Sequence, residues 1–443
     1  MRKNFILVFL MSFGILASSF AQGINKAKMD SLFDVLNSNN KAMGSLVLSQ
    51  KGKIIYKKSI GFSVINDKEK IAANDKTKYR IGSITKMFTA TLIFQLVEEG
   101  KLHLDDHLAL YFPDIPNAGI ITIGQMLNHS SGIHNFTSDT TYLQWNTKPK
   151  THDEIVKYIA KWEPDFEPGA RSGYSNSNFV LLGYIIESIL KQPYNEVLQK
   201  RIAKKIGLKN TYCGGIITPK NNEASSYVYT QKWEPEMITD MSIPGGAGSI
   251  VSTPEDMAKF IEALFSNKLL KESCLEKMKT VSEGYGMGML VFPFGEKKAY
   301  GHNGGIDGFV SGLAYFPEEQ LAVAYCSNGQ VYPMNDIMIG VLSIEFQKPY
   351  NIPTFSNVNV PIEILEKYVG LYSSDAFPLK INVFRKDNVL MAQATGQQSF
   401  PLEAVNETKF KFDQAQILIV FDAEKGELVL NQAGKNITLI KEK

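Results

Sequence analysis

Apolar and polar positions change their rhythm twice along the 443 residues. Residues 45–63, SLVLSQKGKIIYKKSIGFS, place two apolar-rich runs on either side of a Gln-Lys-Gly turn, a pattern that predicts a β-hairpin. Helical spacing then dominates to about residue 205. The run 83–100 stops at Gly100, and 177–191 and 194–207 are parted by Pro193. In 252–265, Thr253 takes the N-cap position, Pro254 the first turn, and acidic residues follow, a strong helix start.

From about residue 285 the period shortens again. YGMGMLVF, SGLAYFP and QLAVAYCSN read as short strands, and an apolar helix over roughly 334–347 closes the unit. N-terminal and C-terminal strands in one sheet, with helices between and around them, form the assembly this order predicts. Residues 348–361 hold three prolines and little periodicity, so a linker is expected there. Beyond it, LKINVF, NVLMAQA, KFKFDQ, QILIVFD, ELVLNQ and NITLIK predict a small all-β barrel or sandwich over 362–443.

The N-terminus follows another logic. Arg2 and Lys3, an apolar run from Asn4 to Leu16, and Ser19-Phe20-Ala21 as a small-x-small cleavage site make residues 1–21 a secretory signal. The run is short for a bilayer span, so no stable membrane span is expected after cleavage, and the product is periplasmic or secreted. Residues 22–347 would then form the main domain. The formal charge of +2 falls to 45 basic against 45 acidic side chains once residues 1–21 are removed, which favours neither nucleic acid nor a membrane surface as partner. Hydrophobic residues at 44% and charged residues at 21% fit a globular protein with a sizeable core. Cys213, Cys274 and Cys326 are scattered and show neither a disulfide framework nor zinc spacing, so three buried thiols are expected.

Candidate chemistry begins at RIGSITKMFTA (80–90). A serine hydroxyl is a weak nucleophile and needs a base beside it. Residues three apart on a helix share a face, so Lys86 can lie beside Ser83. A lysine among apolar walls titrates well below its usual value near 10.4 and becomes such a base. The spacing alone decides nothing, because Ser38–Lys41 and Ser188–Lys191 share it. Ser38 lies in a polar stretch and Ser188 in the last turn of a helix; only Ser83 follows a glycine, Gly82, at a strand-to-helix junction. Downstream, Tyr174 and Asn176 stand at the mouth of the next long helix, where a phenol can pass protons and an amide can grip a carbonyl. In AYGHNGGIDGF (299–309), His302 is expected to end a strand and enter a glycine-rich turn that offers N–H groups to a ligand.

Ser83-x-x-Lys86, Tyr174-x-Asn176 and His302-x-Gly304, in that order, resemble the serine β-lactamase and penicillin-binding-protein superfamily, in the branch of class C β-lactamases, D-Ala-D-Ala carboxypeptidases and related esterases. LNHSSGI (127–133), EPGARSGYSNSNFVLLGYIIE (167–187) and GGAGSIVSTPEDMAKF (245–260) are similar to that branch as well, which covers roughly residues 25–347. The C-terminal part is similar to the small lipocalin-like β domain often appended to such hydrolases. The resemblance implies an α/β (α+β) fold, an antiparallel sheet flanked by helices plus a helical region, followed by that barrel.

It also implies a serine hydrolase acting through an acyl-enzyme on a small molecule or peptide, peptidoglycan-derived peptides among them. Ser83 would be acylated, Lys86 would be its base, and Tyr174 would shuttle protons to the leaving group and the deacylating water. Asn176 would bind the substrate amide, and the N–H groups of Ser83 and Gly305 would form the oxyanion hole, with Asn303 and Gly304 in the substrate-binding segment. No metal or cofactor is implied; His103 and His107 fall in an ordinary segment of the family. Two departures bear on substrate. His302 stands where many members have lysine, and Asn303 replaces a hydroxyl residue that helps bind a substrate carboxylate. Both shift the expectation from β-lactams towards peptides, amides and esters.

Overall fold

The computed structural model describes residues 24–442 except 231, 356–357, 398, 413–414 and 433. The secretory signal expected over 1–21 lies outside the described residues. Helix α1 (Lys26–Ser38) leads into β1 (Ala42–Gln50) and β2 (Lys53–Ile60). Lys51 and Gly52 join them with φ of 53° and 76°, the left-handed pair that closes a tight hairpin.

Four later strands complete the sheet: β3 (Leu290–Phe294), β4 (Lys297–Ile306), β5 (Phe309–Phe316) and β6 (Leu321–Gln330). The order is β3-β4-β5-β6-β1-β2, and every neighbouring pair is antiparallel. The first and last segments of the domain therefore meet at its centre, with Leu46 opposite Tyr325. Strand alternation divides β1 between two cores. Leu46 and Leu48 pack with α1 and with α5 (Met334–Glu345), whereas Val47 joins the larger cluster on the other face.

That larger cluster is built on α2 (Thr85–Glu98), α3 (Asn176–Leu190) and α4 (Pro254–Phe265). Their starts and stops follow the local chemistry. Thr253 caps α4 by accepting from the Asp256 N–H, with Pro254 at its first position, and Gly100 takes φ 65° just past α2. Cys274 and Cys326 are buried and Cys213 is half-buried, all three as free thiols.

One expectation fails at the site. His302 does not end a strand: β4 runs through His302, Asn303, Gly304 and Gly305 to Ile306, and the turn comes at Asp307-Gly308. The reason for glycines inside a strand is a neighbour, described below.

Residues 348–361 contain no helix or strand among those described, yet Tyr350, Ile352 and Phe355 pack against the core beneath α1 and α5. Helix α6 (Ile362–Tyr368) then opens a closed eight-stranded barrel in which Tyr372 on the first strand pairs with Lys441 on the last. Six of its strands contain the apolar runs seen in the sequence; Gly370–Ser374 and Phe400–Ala404 are additional.

Candidate active site

Two close approaches build the site. Strand β3 pairs with β4 only as far as Gly301, which leaves the edge of β4 from His302 onward without a partner strand. The chain at Ile81 lies over one face of β4: a Cβ added to Gly304 would stand 2.0 Å from the Ile81 carbonyl oxygen. Gly82, at φ 49°, faces the same constraint, since its Cβ would fall 2.8 Å from the Gly305 nitrogen. Gly304 thus admits the nucleophile turn rather than forming a turn of its own, whereas a Cβ at Gly305 would meet nothing within 4 Å. Ser311 on β5 locks the contact by donating to the Ile81 carbonyl at 2.8 Å.

Ser83 sits in the single turn Gly82–Ile84 that runs into α2. Lys86, one turn on, is fully buried. Its Nζ lies 3.0 Å from Ser83 Oγ, 2.7 Å from Asn176 Oδ1 and 2.9 Å from the Ala247 carbonyl. No carboxylate is among these partners. Burial therefore holds its pKa well below the ordinary lysine value. The rings of Tyr174 and Phe179, 4.9 and 5.6 Å from Nζ, pull the other way. A desolvated cation–π contact contributes about 2 kcal/mol, against several for desolvating an ammonium, so the net shift stays downward.

Counting hydrogens sharpens the point. Asn176 Oδ1 and the Ala247 carbonyl are acceptors only. They take two of the Nζ hydrogens, so the third tetrahedral position of Nζ faces Ser83 Oγ: an N–H donor to it while the lysine is charged, a lone pair for its proton once the lysine is neutral. The Asn176 amide is fixed in this sense because its Nδ2 donates to Thr137 Oγ1 at 2.9 Å, and Thr137 in turn donates to Asn135. Both ends of that amide are therefore engaged within the protein. Asn176 holds Lys86 and also lines the cleft at Ser83.

Tyr174 Oη donates to Ser83 Oγ at 2.7 Å, and burial pushes the phenol up to about 12, so it stays protonated. His129 packs beside it with ring centres 4.6 Å apart and the planes tilted by 33°, buried and held neutral by burial, its Nδ1 accepting the Ser175 N–H. Sequence reasoning assigned His129 nothing; its place under Tyr174 comes from the turn after residue 127.

His302 is buried with its Nδ1 2.5 Å from the Asn303 carbonyl, so Nδ1 bears the proton. Burial first, and Lys86 second, lower it to about 3, and the ring is neutral near pH 7. Asn303 points to the opposite face of β4, towards Gly312 and Met334. It is not among the residues lining the cleft at Ser83. Gly305 does line that cleft, a cavity of about 670 Å³ shared by Ser83, Asn176 and Asp307.

An ion pair escaped the sequence reading. Arg80 and Asp307, each 4% exposed, meet at 3.0 Å. Asp307 also accepts from the Thr239 N–H and hydroxyl, and Arg80 donates to the Thr239 and Gly215 carbonyls. The pair ties the strand before Ser83 to the end of β4. The signal was present: each charge sits in an otherwise apolar or glycine-rich motif, RIGS and GGIDGF.

Comparison with known proteins gives a consistent picture. The Beta-lactamase family model matches residues 30–341. Penicillin-binding protein 4* of Bacillus subtilis (strain 168) is 26% identical over 419 residues, 87% of this chain and 91% of that protein. The crystal structure of D-amino acid amidase from Ochrobactrum anthropi SV3 complexed with L-phenylalanine superposes with a TM-score of 0.63 at 29% identity, covering 73% of this chain and 98% of that one. The octameric penicillin-binding protein homologue from Pyrococcus abyssi superposes at 0.67 and 25% identity over 95% of this chain and 99% of its own, barrel included.

Proposed function

The chain belongs to the beta-lactamase family and is a serine hydrolase of that type, and from this we propose an exported acyl-enzyme hydrolase of amides and peptides, with esters as a second substrate class. The observation that carries the reading is the fully buried Lys86, 3.0 Å from Ser83 Oγ, with no carboxylate among its hydrogen-bond partners. The named amidase neighbours support an amide substrate. Export rests on the signal pattern over 1–21. Among the described residues no helix is long and apolar enough to cross a membrane.

In the proposed cycle, Lys86 takes the Ser83 proton as Oγ bonds to the substrate carbonyl carbon. The N–H groups of Ser83 and Gly305 receive the oxyanion. As the intermediate collapses, the C–N bond breaks, Tyr174 gives its proton to the leaving nitrogen, and the Lys86 ammonium restores the phenol. Water then attacks the ester carbon with its proton passing to the same base, and the acid leaves as Ser83 regains its hydrogen. Neutral His302 supplies no positive charge for a substrate carboxylate, in contrast to a lysine there.

Intact mass after a fluorophosphonate probe and after penicillin tests the reading. Wild-type protein should gain one adduct, and Ser83→Ala none. A wild-type protein left unmodified by both probes would remove Ser83 as nucleophile. In a panel of D-Ala-D-Ala peptides, short-chain esters, simple amides and a cephalosporin, turnover of the cephalosporin should rank last. The reverse ranking would show a β-lactamase.

A further inference from the structure

Lys86 leans on a carbonyl that its own helix does not supply. The acceptor is Ala247, in the single helical turn Gly245–Gly248. In a longer helix the Gly246 carbonyl would pair with the Ile250 N–H. Here each group goes to a threonine of α2 instead. The Ile250 N–H donates to Thr85 Oγ1 at 3.2 Å, and Thr89 Oγ1 donates to the Gly246 carbonyl at 2.6 Å. Both threonines are fully buried, and they flank Lys86 along the helix. Thr85, Lys86 and Thr89 thus hold one short segment at three backbone groups.

Behind Thr89 stands Tyr194, 7% exposed, at the start of the helical turn Tyr194–Leu198. Its Oη lies 2.6 Å from Thr89 Oγ1, and its backbone N–H donates to Glu187 Oε1 at 2.6 Å. Burial raises the phenol pKa, so the hydroxyl keeps its hydrogen. Counting hydrogens gives the contact a direction. Thr89 has one hydroxyl hydrogen, and the Gly246 carbonyl can only accept. Were that hydrogen turned to the phenol, a Thr89 lone pair would face the carbonyl oxygen at 2.6 Å. The chain therefore runs from the Tyr194 hydroxyl to Thr89 to the Gly246 carbonyl, one peptide before the acceptor of Lys86.

We infer that Thr89 and Tyr194 are positioning residues for the base: their hydroxyls fix the Gly246 peptide, and with it the Ala247 carbonyl that holds Lys86 Nζ at Ser83 Oγ. This rests on the acyl-enzyme reading and extends it to two side chains that do not line the cleft at Ser83. A base moved by a fraction of an ångström loses rate, whereas a cleft whose lining is untouched binds substrate as before.

The test reads kcat and KM on an activated ester, per site labelled by a fluorophosphonate at completion, so that any unfolded fraction drops out. Thr89→Val keeps the shape and removes the hydroxyl. It should lower kcat by about 10-fold to 10²-fold, the range for a displaced catalytic group, with KM within about 2-fold of wild type. Thr89→Ser restores the donor and should hold kcat within about 2-fold of wild type. Tyr194→Phe frees the Thr89 hydrogen to turn to the Thr85 carbonyl, 3.3 Å away, and should lower kcat by about 3-fold, the low end for one hydrogen bond. A Thr89→Val loss confined to KM, or Thr89→Ser as slow as Thr89→Val, overturns the inference. If Thr89→Val yields no labelled protein, Tyr194→Phe decides, and an unchanged kcat there overturns it too. A labelled, active wild type whose kcat ignores these substitutions sinks the positioning role alone. A wild type neither labelled nor active sinks the acyl-enzyme reading and this inference with it.

Discussion

Ser83–Lys86 and Ser188–Lys191 have the same spacing and opposite surroundings. The first stands at the head of α2, its lysine fully buried against Asn176 and the Ala247 carbonyl. The second stands at the tail of α3, where Ser188 and Lys191 are both exposed and Lys191 ends the helix in the left-handed conformation, φ 52°. A third copy, Ser38–Lys41, turns its serine back on its own helix: the Ser38 hydroxyl donates to the Asp34 carbonyl at 2.8 Å. The difference teaches that helical spacing supplies adjacency and nothing more. A base needs a lysine stripped of water and denied a carboxylate, and only long-range packing arranges that.

The sharpest way to break the comparison is to remove each lysine. Lys86→Met should lower kcat/KM by about 10⁴-fold, the upper range for loss of a positioned base. Lys191→Met should change it by less than about 2-fold, because nothing reactive lies near it. Steady-state turnover of an ester or amide substrate checks both, and comparable losses would erase the distinction drawn here. Lys86 must be unprotonated to accept the Ser83 proton, so activity falls on acidification. Because burial lowers its pKa, that limb lies well below the ordinary lysine range. His302, lowered to about 3, and Tyr174, raised to about 12, place no limb between pH 5 and pH 9.

The setting of Ser83 can be broken without touching the pair. Arg80→Met leaves Asp307 buried without its guanidinium and should cost roughly 3–5 kcal/mol of stability, measured by urea unfolding. Asp307→Asn added to it should recover part of that loss, since asparagine tolerates the φ of 52° at this position and no charge is left behind. A double variant no more stable than Arg80→Met would mean that packing of the arginine, rather than its charge, holds the segment. A smaller effect is expected at the phenol. Tyr174→Phe should reduce kcat/KM by about 10²-fold, the lower range for one proton-transfer group, with larger losses on amides than on activated esters. Esters with good leaving groups need no proton from it, so equal losses on both would remove Tyr174 from that step.

How much of this was legible along the chain depends on how far apart the partners lie. The Thr253 cap, the Gly100 stop and the Lys51-Gly52 hairpin are local chemistry, and the pattern read them correctly. Ser83 emerged from its place in an ordered set of motifs. The acceptor that fixes the state of Lys86 is a backbone carbonyl 161 residues away, which no side-chain pattern announces. Gly304 and Gly305 read as a turn because glycine usually signals one; here Gly304 permits the Ile81 carbonyl to approach the face of a strand. In the barrel, GLYSS (370–374) mixes glycine and serines and FPLEA (400–404) holds a proline, both of which argue against a strand, and ladder closure makes them strands.

The smallest effect carries the comparison to its end, because its sign differs. Lys191 occupies a left-handed C-cap that costs an L side chain roughly 1–2 kcal/mol, while glycine adopts it freely at a cost in chain entropy of about 0.5–1 kcal/mol. Lys191→Gly should therefore stabilise the protein by about 0.5 kcal/mol with turnover unchanged, read as a rise in the urea midpoint at constant m. At Lys86 the same replacement would remove the base, orphan Asn176 Oδ1 and the Ala247 carbonyl, and open a cavity within α2. One substitution in two copies of one motif should thus raise stability at the exposed site and lower both stability and activity at the buried one. If Lys191→Gly were destabilising, its ammonium would be holding the α3 terminus, and the exposed copy would have a structural role of its own.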